Sequence, residues 1–279
     1  MSLLTRLLLS PPACRNLKRL QAAVSGKTIL VTGASYGIGE ATALLLARAG
    51  AHVLLIARST EKLHQLTTSI VQQGGQASAY PADLYKVSKV PKLIEYIQAA
   101  HPRIDVVICN AGKSIRRRIT DSFGRDDLER SIALNFLSPA TMLMALLPRM
   151  IEQGGGLIIN VSSVSARQPG APRWGTYQSS KAGFDLWLRS LANELRPQGI
   201  YASSVYLPLV RTRMIMPTPL YHRLPALSPQ EAAETIAYAI IRRAERVAPW
   251  WLWWSEFITL LTPTPIHRLL TYLDQRLPD

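Results

Sequence analysis

Residues 27 to 39 read Lys27-Thr28-Ile29-Leu30-Val31-Thr32-Gly33-Ala34-Ser35-Tyr36-Gly37-Ile38-Gly39. The first part is a β-branched, apolar run with the length of a buried strand. A loop with three glycines follows, and a helical pattern from Glu40 to Ala49 comes directly afterwards. This order of strand, glycine loop and helix is typical of a turn that binds a dinucleotide, because the helix N-terminus offers free N–H groups and a positive dipole end to phosphates.

The glycine loop predicts the phosphate end of a cofactor site. Its spacing is G-x3-G-x-G rather than G-x-G-x-x-G. Such glycines let the backbone turn sharply, approach a pyrophosphate and pack the helix against its strand. The residues expected to bind the cofactor here are Gly33, Ser35, Tyr36, Gly37, Ile38 and Gly39.

Strands and helices continue to alternate along the rest of the chain. Strand-like runs occupy 52–57, 76–80, 104–109, 157–161 and 201–206, and helical patterns occupy 60–73, 87–100, 126–150 and 177–196. With 279 residues, the chain is long enough for one large α/β domain. The alternation predicts a single Rossmann-type, doubly wound parallel sheet with helices on both faces. Its expected range is 27–248, with a substrate loop at about 208–227 and apolar extensions at 1–26 and 249–279.

The end of the second strand predicts which dinucleotide binds. Arg58 stands where an NAD site usually has a carboxylate for the ribose 2′-hydroxyl, and no acid occurs between Glu40 and Glu61. An arginine there accommodates the 2′-phosphate of NADP. NADP(H) is therefore the predicted cofactor, with Ser35 as a second phosphate contact. The alternative is that Arg58 is an exposed charge at the start of a helix.

Two further strand ends carry candidate cofactor contacts. Asp83, followed by Leu84, is placed either to accept a hydrogen bond from the adenine amino group or to cap the helix near Val87. The fourth strand delivers Asn110-Ala111-Gly112, whose small residues allow the backbone to approach a ligand closely.

Tyr177 and Lys181 are the first candidates for chemistry. They lie four residues apart at the head of a helical pattern, so their side chains share one face, roughly 5–6 Å apart at Cβ. The lysine is expected to favour the phenolate and lower the pKa of Tyr177, which then exchanges a proton with a carbonyl oxygen as hydride moves. Upstream, a strand ends in Ser162-Ser163, whose hydroxyls can orient the same carbonyl. Asn135, an amide among apolar neighbours, requires a hydrogen-bond network or a bound water.

Taken together, these motifs resemble the short-chain dehydrogenase/reductase family from Lys27 to about Ala248. The matching residues, in the family's order, are Thr32-Gly33-x3-Gly37-Ile38-Gly39, Asp83, Asn110-Ala111-Gly112, Asn135, Ser163 and Tyr177-x3-Lys181. The resemblance implies a nicotinamide cofactor and a catalytic set of Asn135, Ser163, Tyr177 and Lys181. It also implies that Lys181 holds the nicotinamide ribose and depresses the pKa of Tyr177, that Ser163 orients the substrate oxygen, and that Asn135 keeps a water between Lys181 and solvent.

The chain departs from the family pattern in two places. Ser163 and Tyr177 are fourteen positions apart, one more than is usual, which leaves Ser165 as a rival for the catalytic serine. Pro208-Leu209 replaces the usual Pro-Gly, although Val210 and Thr212 still match the segment that contacts the nicotinamide through its backbone and hydroxyl.

A narrower likeness concerns the segments that flank the substrate mouth. Residues 110–117, 208–212, 216–218 and 227–233 look like bacterial fatty acyl-CoA reductases of the same superfamily. This implies reduction of a long-chain acyl thioester to the aldehyde with NADPH, with Tyr177 and Ser163 stabilising the oxyanion and coenzyme A leaving as the thiolate. The arginines that are candidates to contact its phosphates, or are ordinary surface charges, are Arg116, Arg117, Arg211 and Arg213.

Two other functions are compatible with the same residues. One is reduction of a keto lipid of the 3-ketosphinganine, 3-oxoacyl or steroid type. The other is a non-catalytic, nucleotide-binding scaffold. A reductase acting on acyl thioesters releases a thiol, a keto-lipid reductase does not, and a scaffold turns over neither substrate.

The composition limits partners and compartment. Thirty-two Lys and Arg against eighteen Asp and Glu give a net charge of +14. No nucleic-acid-binding motif appears. The positive charge therefore favours anionic partners: a membrane surface, the nucleotide cofactor, and coenzyme A or an acyl carrier. The alternative is that the charge only keeps the protein soluble. Cys14 and Cys109 lack metal-ligand spacing, so we expect no metal, no disulfide and a reducing, cytoplasmic location, with peripheral membrane contact. The resemblance implies a homo-oligomer, a dimer or tetramer, paired through 126–150 and 177–196.

Each of the two extensions, 1–26 and 249–279, is compatible with several structures. Residues 1–26 contain no acid, which suits an interfacial amphipathic helix, a targeting presequence or a helix lying on its own domain. The tail begins Trp250-Trp251-Leu252-Trp253-Trp254 and continues apolar to Leu261. It is too short and broken to span a bilayer, and it fits a monotopic membrane contact, a subunit interface or a lid over the acyl pocket.

Overall fold

A parallel β-sheet forms the centre of the protein in the computed structural model, which describes residues 9–216, 218, 221 and 224–276. Within these residues the sheet has seven strands in the order β3-β2-β1-β4-β5-β6-β7. The strands are β1 (Thr28–Thr32), β2 (His52–Ala57), β3 (Gln76–Pro81), β4 (Val106–Cys109), β5 (Gly156–Ser163), β6 (Ile200–Leu207) and β7 (Arg246–Val247). All neighbouring strands are parallel. The predicted doubly wound sheet is confirmed.

Helices cover both faces of this sheet. They are α1 (Leu17–Val24), α2 (Gly37–Arg48), α3 (Thr60–Gln72), α4 (Val90–Ala100), α5 (Asp127–Ile132), α6 (Ser138–Glu152), α7 (Gly175–Leu195), α8 (Pro229–Arg242), α9 (Trp251–Leu261) and α10 (Pro263–Arg276). The first face packs against α1, α2, α3 and α8, and the second against α4, α6 and α7. Successive strand residues point to opposite faces, so Ile29 and Val31 join the first core and Leu30 joins the second. The central strands are therefore apolar throughout.

The strand order places the candidate site. Sequence-adjacent strands lie side by side from β1 to β3, and the chain then crosses back to put β4 on the other side of β1. A crevice opens where the order reverses, at the carboxyl ends of β1 and β4. The glycine loop follows β1 and Asn110-Ala111-Gly112 follows β4, so the two meet at this crevice.

Two predicted helices have different boundaries in the structure. The region predicted as one helix over 126–150 is α5, a π-helical turn at Ala133–Leu137, and α6. The helix predicted to begin near Val87 begins at Val90, after a short 3₁₀ turn. The π turn could not be read from apolar spacing, because it shifts the helical register by only one residue.

The basic N-terminal segment lies on its own domain. Asn16 caps α1 by accepting a hydrogen bond from the Arg19 N–H, and Leu20 and Val24 are buried in the first core. Arg15 pairs with Glu234 of α8 at 3.0 Å. The interfacial helix considered from the sequence therefore faces the protein, while residues 1–8 lie outside the described part.

The continuous helical stretch Asp127–Glu152 is apolar and long enough to cross a membrane by composition alone, but 44% of its most apolar window is buried inside the fold. Its buried residues, including Leu143 and Leu146, belong to the second core. The apolar character is therefore explained by packing against the sheet.

Candidate functional site

The glycine loop has the backbone geometry of a phosphate cradle. Gly33 and Gly37 adopt φ values of +67° and +59°, a region that side chains disfavour. A Cβ on Gly39 would overlap the carbonyl oxygen of Gly33 and lie 2.6 Å from Nδ2 of Asn110. The N-cap of α2, Tyr36, makes no side-chain capping bond, so the first N–H groups of the helix remain available to an anion.

Thr32 and Asn110 join the ends of β1 and β4. The Asn110 amide donates to the carbonyl oxygens of Thr32 at 2.8 Å and Gly33 at 3.3 Å. The Thr32 hydroxyl accepts from the backbone N–H groups of Asn110 and Ala111 at 3.0 Å each, and donates to the Ile108 carbonyl. Thr32 belongs to the family motif, but nothing in the sequence showed that its hydroxyl joins these two strand ends.

The predicted 2′-phosphate end of the cofactor site carries an exposed cation, Arg58. Arg58 is exposed directly after β2, and Ser35 is half-buried in the glycine loop. Burial and the carboxylate of Asp83 raise the pKa of Tyr85, and the guanidinium groups of Arg130 and Arg58 lower it. The three charged side chains therefore lie near the Tyr85 ring. The Asp83 carboxylate accepts from the Tyr85 N–H at 3.2 Å. Asp83 therefore forms a local turn after β3. It does not cap α4, so the capping role considered from the sequence is wrong. Leu84, next to it, is buried.

The segment predicted to contact the nicotinamide lies against the glycine loop at Thr212. A Cβ on Gly37 would lie 3.0 Å from Cγ2 of Thr212. Val210 is buried and pairs with Leu227 in an isolated bridge. Arg213, considered from the sequence for coenzyme A, instead has its guanidinium 3.8 Å from the centroid of the Tyr36 ring. The structure thus brings Thr212 to the glycine loop, while Val210 is held by its bridge to Leu227.

Asn135 lies in the π-helical turn between α5 and α6 and is buried. Its Oδ1 accepts from the Lys113 N–H at 2.8 Å, and its Nδ2 donates to the Lys113 carbonyl and to Oγ of Ser180 at 2.9 Å each. These bonds satisfy the amide, as the sequence required. A π turn is a frequent feature of functional sites because it re-aims one side chain.

Lys181 extends into the same crevice. It is 7% exposed, and its Nζ donates to the Val161 carbonyl at 3.0 Å. A Cβ on Gly112 would lie 3.3 Å from this Nζ and 3.1 Å from Oδ1 of Asn135. The glycine after β4 thus leaves the space in which the lysine and the amide approach each other.

Tyr177 and Ser163, both predicted to be catalytic, are in direct contact. The side chain of Ser163 hydrogen-bonds the phenol, while its Oγ accepts from the N–H of Ser165 at 3.2 Å and from the Ser165 hydroxyl at 2.9 Å. Ser163 therefore stands next to the phenol, and its rival Ser165 stands behind it. The extra residue between Ser163 and Tyr177 is accommodated in the intervening loop.

The pKa of Tyr177 is raised, whereas the sequence predicted that Lys181 would lower it. Burial raises the pKa of Tyr177, the hydrogen bond from Ser163 lowers it, and Tyr221 raises it further. The lysine is itself desolvated, and its ammonium is directed to the Val161 carbonyl. Desolvation therefore outweighs the hydrogen bond from Ser163, and Tyr177 is a protonated phenol at neutral pH.

The side chain of Gln178 hydrogen-bonds to the backbone of the loop between Ser163 and Tyr177. Its Oε1 accepts from the Ala171 N–H at 2.8 Å, and its Nε2 donates to the carbonyls of Ser165 and Pro169. No sequence pattern singled out this residue. Its position beside Tyr177 was visible, but nothing in the spacing showed that its amide points back into the loop.

Aromatic rings form one wall beside Tyr177. Trp174 packs edge-to-face on Tyr177 at 5.9 Å and stacks on Tyr221 of the expected substrate loop at 6.0 Å. Within this loop, residues 217, 219, 220, 222 and 223 lie outside the described part, so the likeness in Met216-Pro217-Thr218 has no complete structural counterpart.

The three consecutive arginines have different surroundings. Arg117 pairs with Asp127 at 3.0 Å, and Arg118 approaches Asp274 at 3.9 Å. Arg116 lies near Tyr221 and lowers its pKa against the effect of burial. Arg116 is therefore the member of the run that faces the substrate loop, whereas Arg211 donates to the Leu224 carbonyl. Among the described residues, no group of three or more His, Cys, Asp or Glu side chains could hold a metal ion.

Replacing Lys181 with Met should stabilise the ligand-free protein at pH 7. Burial lowers the pKa of Lys181 from 10.5 to about 8, so between these values the unfolded chain binds more protons than the folded one. The free energy of unfolding therefore rises with pH across this window, and the charged form destabilises the fold below pH 8 by about 3 kcal/mol. After loss of the bond to Val161, we expect a net gain of about 1–2 kcal/mol at pH 7.

Thermal denaturation from pH 7 to 10 measures this effect. The gain should shrink as the pH rises, because wild-type Lys181 loses its charge. Lys92→Met, at an exposed lysine, is the control and should show no such pH dependence. A Lys181→Met protein that is less stable than wild type at pH 7 would contradict the prediction.

Comparison with known proteins gives a consistent set of relatives. The short chain dehydrogenase profile matches residues 27–220. A fatty acyl-CoA reductase of Acinetobacter baylyi is 46% identical over 226 residues, which cover 81% of this chain and 76% of that protein. A fatty acyl-CoA reductase of Mycobacterium tuberculosis is 38% identical over 227 residues, which cover 81% and 77%. The crystal structure of a metagenomic short-chain oxidoreductase in complex with NADP superposes with a TM-score of 0.68 at 32% identity, covering 78% of this chain and 92% of that one.

Proposed function

Because the chain belongs to the short-chain dehydrogenase family, we propose that it is an NADPH-dependent reductase that converts a long-chain fatty acyl-CoA to the fatty aldehyde. The observation that carries the proposal is the hydrogen bond between Ser163 and the phenol of Tyr177, whose pKa burial raises. The likeness to two fatty acyl-CoA reductases supports the substrate class.

The residues at the crevice fit NADP(H). The uncapped start of α2 and the close-packed glycines suit the pyrophosphate. Arg58, with Ser35, would hold the 2′-phosphate, and Asp83 with Leu84 would hold the adenine. The remaining contacts would come from Asn110-Ala111-Gly112, Val210, Thr212, Tyr177 and Lys181. When bound, NADPH supplies the hydride for reduction.

The protein's own groups would handle the charge and the proton. The oxygen of the thioester carbonyl becomes negative during reduction, and the hydroxyls of Tyr177 and Ser163 are placed to donate to it. Because burial keeps Tyr177 protonated at neutral pH, it can donate its proton to this oxygen. The phenolate would then take the hydroxyl proton back as the hemithioacetal collapses, which re-forms a carbonyl and expels coenzyme A as the thiolate. Lys181 and Asn135 would orient the cofactor ribose and connect the site to solvent.

An assay that follows thiol release separately from NADPH oxidation tests the substrate. We expect equal amounts of thiol and oxidised nucleotide with palmitoyl-CoA. A 3-keto lipid and palmitaldehyde serve as comparison substrates. NADPH oxidation with the keto lipid alone, without thiol release from palmitoyl-CoA, would replace the proposal with a keto-lipid reductase.

Arg58→Glu should change the preferred nucleotide. The charge-assisted bonds of an arginine to a phosphate contribute about 1.5–3 kcal/mol, so we expect the ratio of kcat/KM for NADPH over NADH to fall about 10- to 100-fold. Initial rates with each nucleotide measure this ratio. Arg48→Glu, at an exposed arginine of α2, is the charge-matched control. An unchanged ratio in Arg58→Glu would place the 2′-phosphate elsewhere.

We further propose that two copies pair through α6 and α7 in a cytoplasmic enzyme. Met144 and Leu186 are exposed apolar residues on these helices, and a second copy would remove them from water. Sedimentation of the double variant Met144→Glu and Leu186→Glu should show a smaller particle than wild type. A wild-type protein that sediments as a monomer would exclude this pairing.

A further inference from the structure

Helix α9 carries its apolar residues on the outside. Leu252 is 0% exposed, but Trp253 is 69% and Leu260 is 77% exposed. The exposed apolar side chains of α9 are Trp253, Trp254, Phe257, Ile258, Leu260 and Leu261. A helix on a soluble domain normally turns this stripe inward, so α9 is inverted relative to that pattern. We call these six residues, with Leu269, Tyr272 and Leu273 of α10, the tail face.

Polar contacts on the inner side hold α9 in this orientation. Ser255 accepts a hydrogen bond from Gln168. Glu256 pairs with Arg167 at 2.6 Å and with Arg246 at 2.8 Å. Rotating the helix to bury the tryptophans would break these bonds and leave charges without partners. The exposure of the tail face is therefore built into the packing of α9.

The outer side of the two C-terminal helices is also cationic. From Trp250 to Arg276 the chain has two acids, Glu256 and Asp274. Both face the domain, since Glu256 pairs as above and Asp274 pairs with Arg173 at 2.7 Å. Arg268 and Arg276 are exposed. An apolar face that carries positive and no outward negative charges complements an anionic lipid surface.

We propose that the tail face docks on the surface of an anionic lipid bilayer. The helix α9 has 11 residues, about half of the roughly 20 that span a bilayer, so it lies in the interface. Tryptophans are enriched at that depth because their rings are amphipathic. Binding of the tail face to lipid does not involve the reaction, so it can be tested independently of the proposed substrate.

Docking would bring the lipid close to the catalytic loop. Arg167 and Arg173, the partners of Glu256 and Asp274, both lie between Ser163 and Tyr177 in the chain. Trp174, next to Arg173, packs on Tyr177 and on Tyr221. The tail face and the aromatic wall of the candidate site are therefore carried by connected segments.

Vesicle co-sedimentation of the full chain tests the proposal without substrate. The vesicles are phosphatidylcholine alone or phosphatidylcholine with about one third phosphatidylglycerol. We expect binding to the anionic vesicles, weakened at least about tenfold in the double variant Trp253→Ser and Trp254→Ser. Tyr96→Ser is the matched control, because Tyr96 is 68% exposed and packs on Tyr80 of β3, at the opposite sheet edge from β7. It should bind as wild type does.

A second measurement uses unaltered protein, in case the double variant fails to fold. Brominated acyl chains in the anionic vesicles should quench the tryptophan fluorescence of wild type, since four of the six tryptophans stand at 250–254. Wild type that binds neither vesicle, or both equally, overturns the proposal. So does wild type that ignores vesicles and forms an oligomer that dissociates in the double variant, because a second copy would then cover the tail face.

Discussion

Tyr177→Phe should reduce kcat about 10²- to 10⁴-fold while NADPH still binds. The change removes one hydroxyl and keeps the ring that packs on Trp174. The lost proton donor also stabilises the developing oxyanion, and each of these effects is typically that large. Ser163 remains as a weaker donor. Stopped-flow reduction of palmitoyl-CoA measures kcat, and fluorescence titration measures the affinity for NADPH.

The control for this prediction is Tyr201→Phe. This variant loses the same hydroxyl, but the Tyr201 ring lies against Arg196 and Arg243 near the sheet edge. The turnover of Tyr201→Phe should therefore equal that of wild type. If Tyr177→Phe were to keep full turnover, another residue would donate the proton. If wild type itself had no turnover on any carbonyl substrate while binding NADPH, the nucleotide-binding scaffold would be the better explanation.

Gly39→Ala should abolish measurable NADPH binding and lower the thermal stability. The added methyl would overlap the Gly33 carbonyl and approach the Asn110 amide to 2.6 Å. Both are parts of the crevice, and the backbone of Gly33 cannot move without displacing the junction with Asn110. Overpacking of this kind destabilises by about 1–3 kcal/mol or more. A displaced loop no longer presents its N–H groups to the pyrophosphate, so we expect affinity to fall at least about 100-fold.

Gly183→Ala separates this effect from a general effect of helix glycines. A Cβ on Gly183 in α7 would meet Phe136 at 3.6 Å, an ordinary contact, and alanine favours the helix. We expect unchanged NADPH affinity and equal or higher melting temperature. Fluorescence titration and thermal denaturation apply to both variants. A Gly39→Ala protein with normal affinity would show that the loop adjusts more easily than its contacts indicate.

Local patterns predicted the parts of the fold that depend on local physics. The run before Gly33 had to be a buried strand because it is apolar and β-branched, and the following glycines had to form a turn before a helix. Alternation of such units predicts a parallel sheet, because parallel strands need crossover helices. The predicted family and sheet were confirmed on this basis, and the predicted site residues after β1, β2, β3, β4 and β5 lie at strand ends.

Other features depend on contacts between distant segments. The pKa direction of Tyr177 was mispredicted because the spacing to Lys181 shows proximity but not desolvation. The π turn at Asn135, the bracing by Gln178 and the junction at Thr32 each need partners from elsewhere in the chain.

The alternation of strands and helices, the dinucleotide turn and the position of Tyr177 and Lys181 on one helix face follow from the amino-acid sequence alone, since each depends on periodicity or short spacing along the chain. The orientation of α9 does not. Its composition is apolar on nearly every side, and the side that faces the domain is selected by the ion pairs of Glu256 with Arg167 and Arg246 and by the hydrogen bond from Gln168 to Ser255. Packing between remote segments thus determined where the protein buries charge, and consequently where it exposes tryptophan.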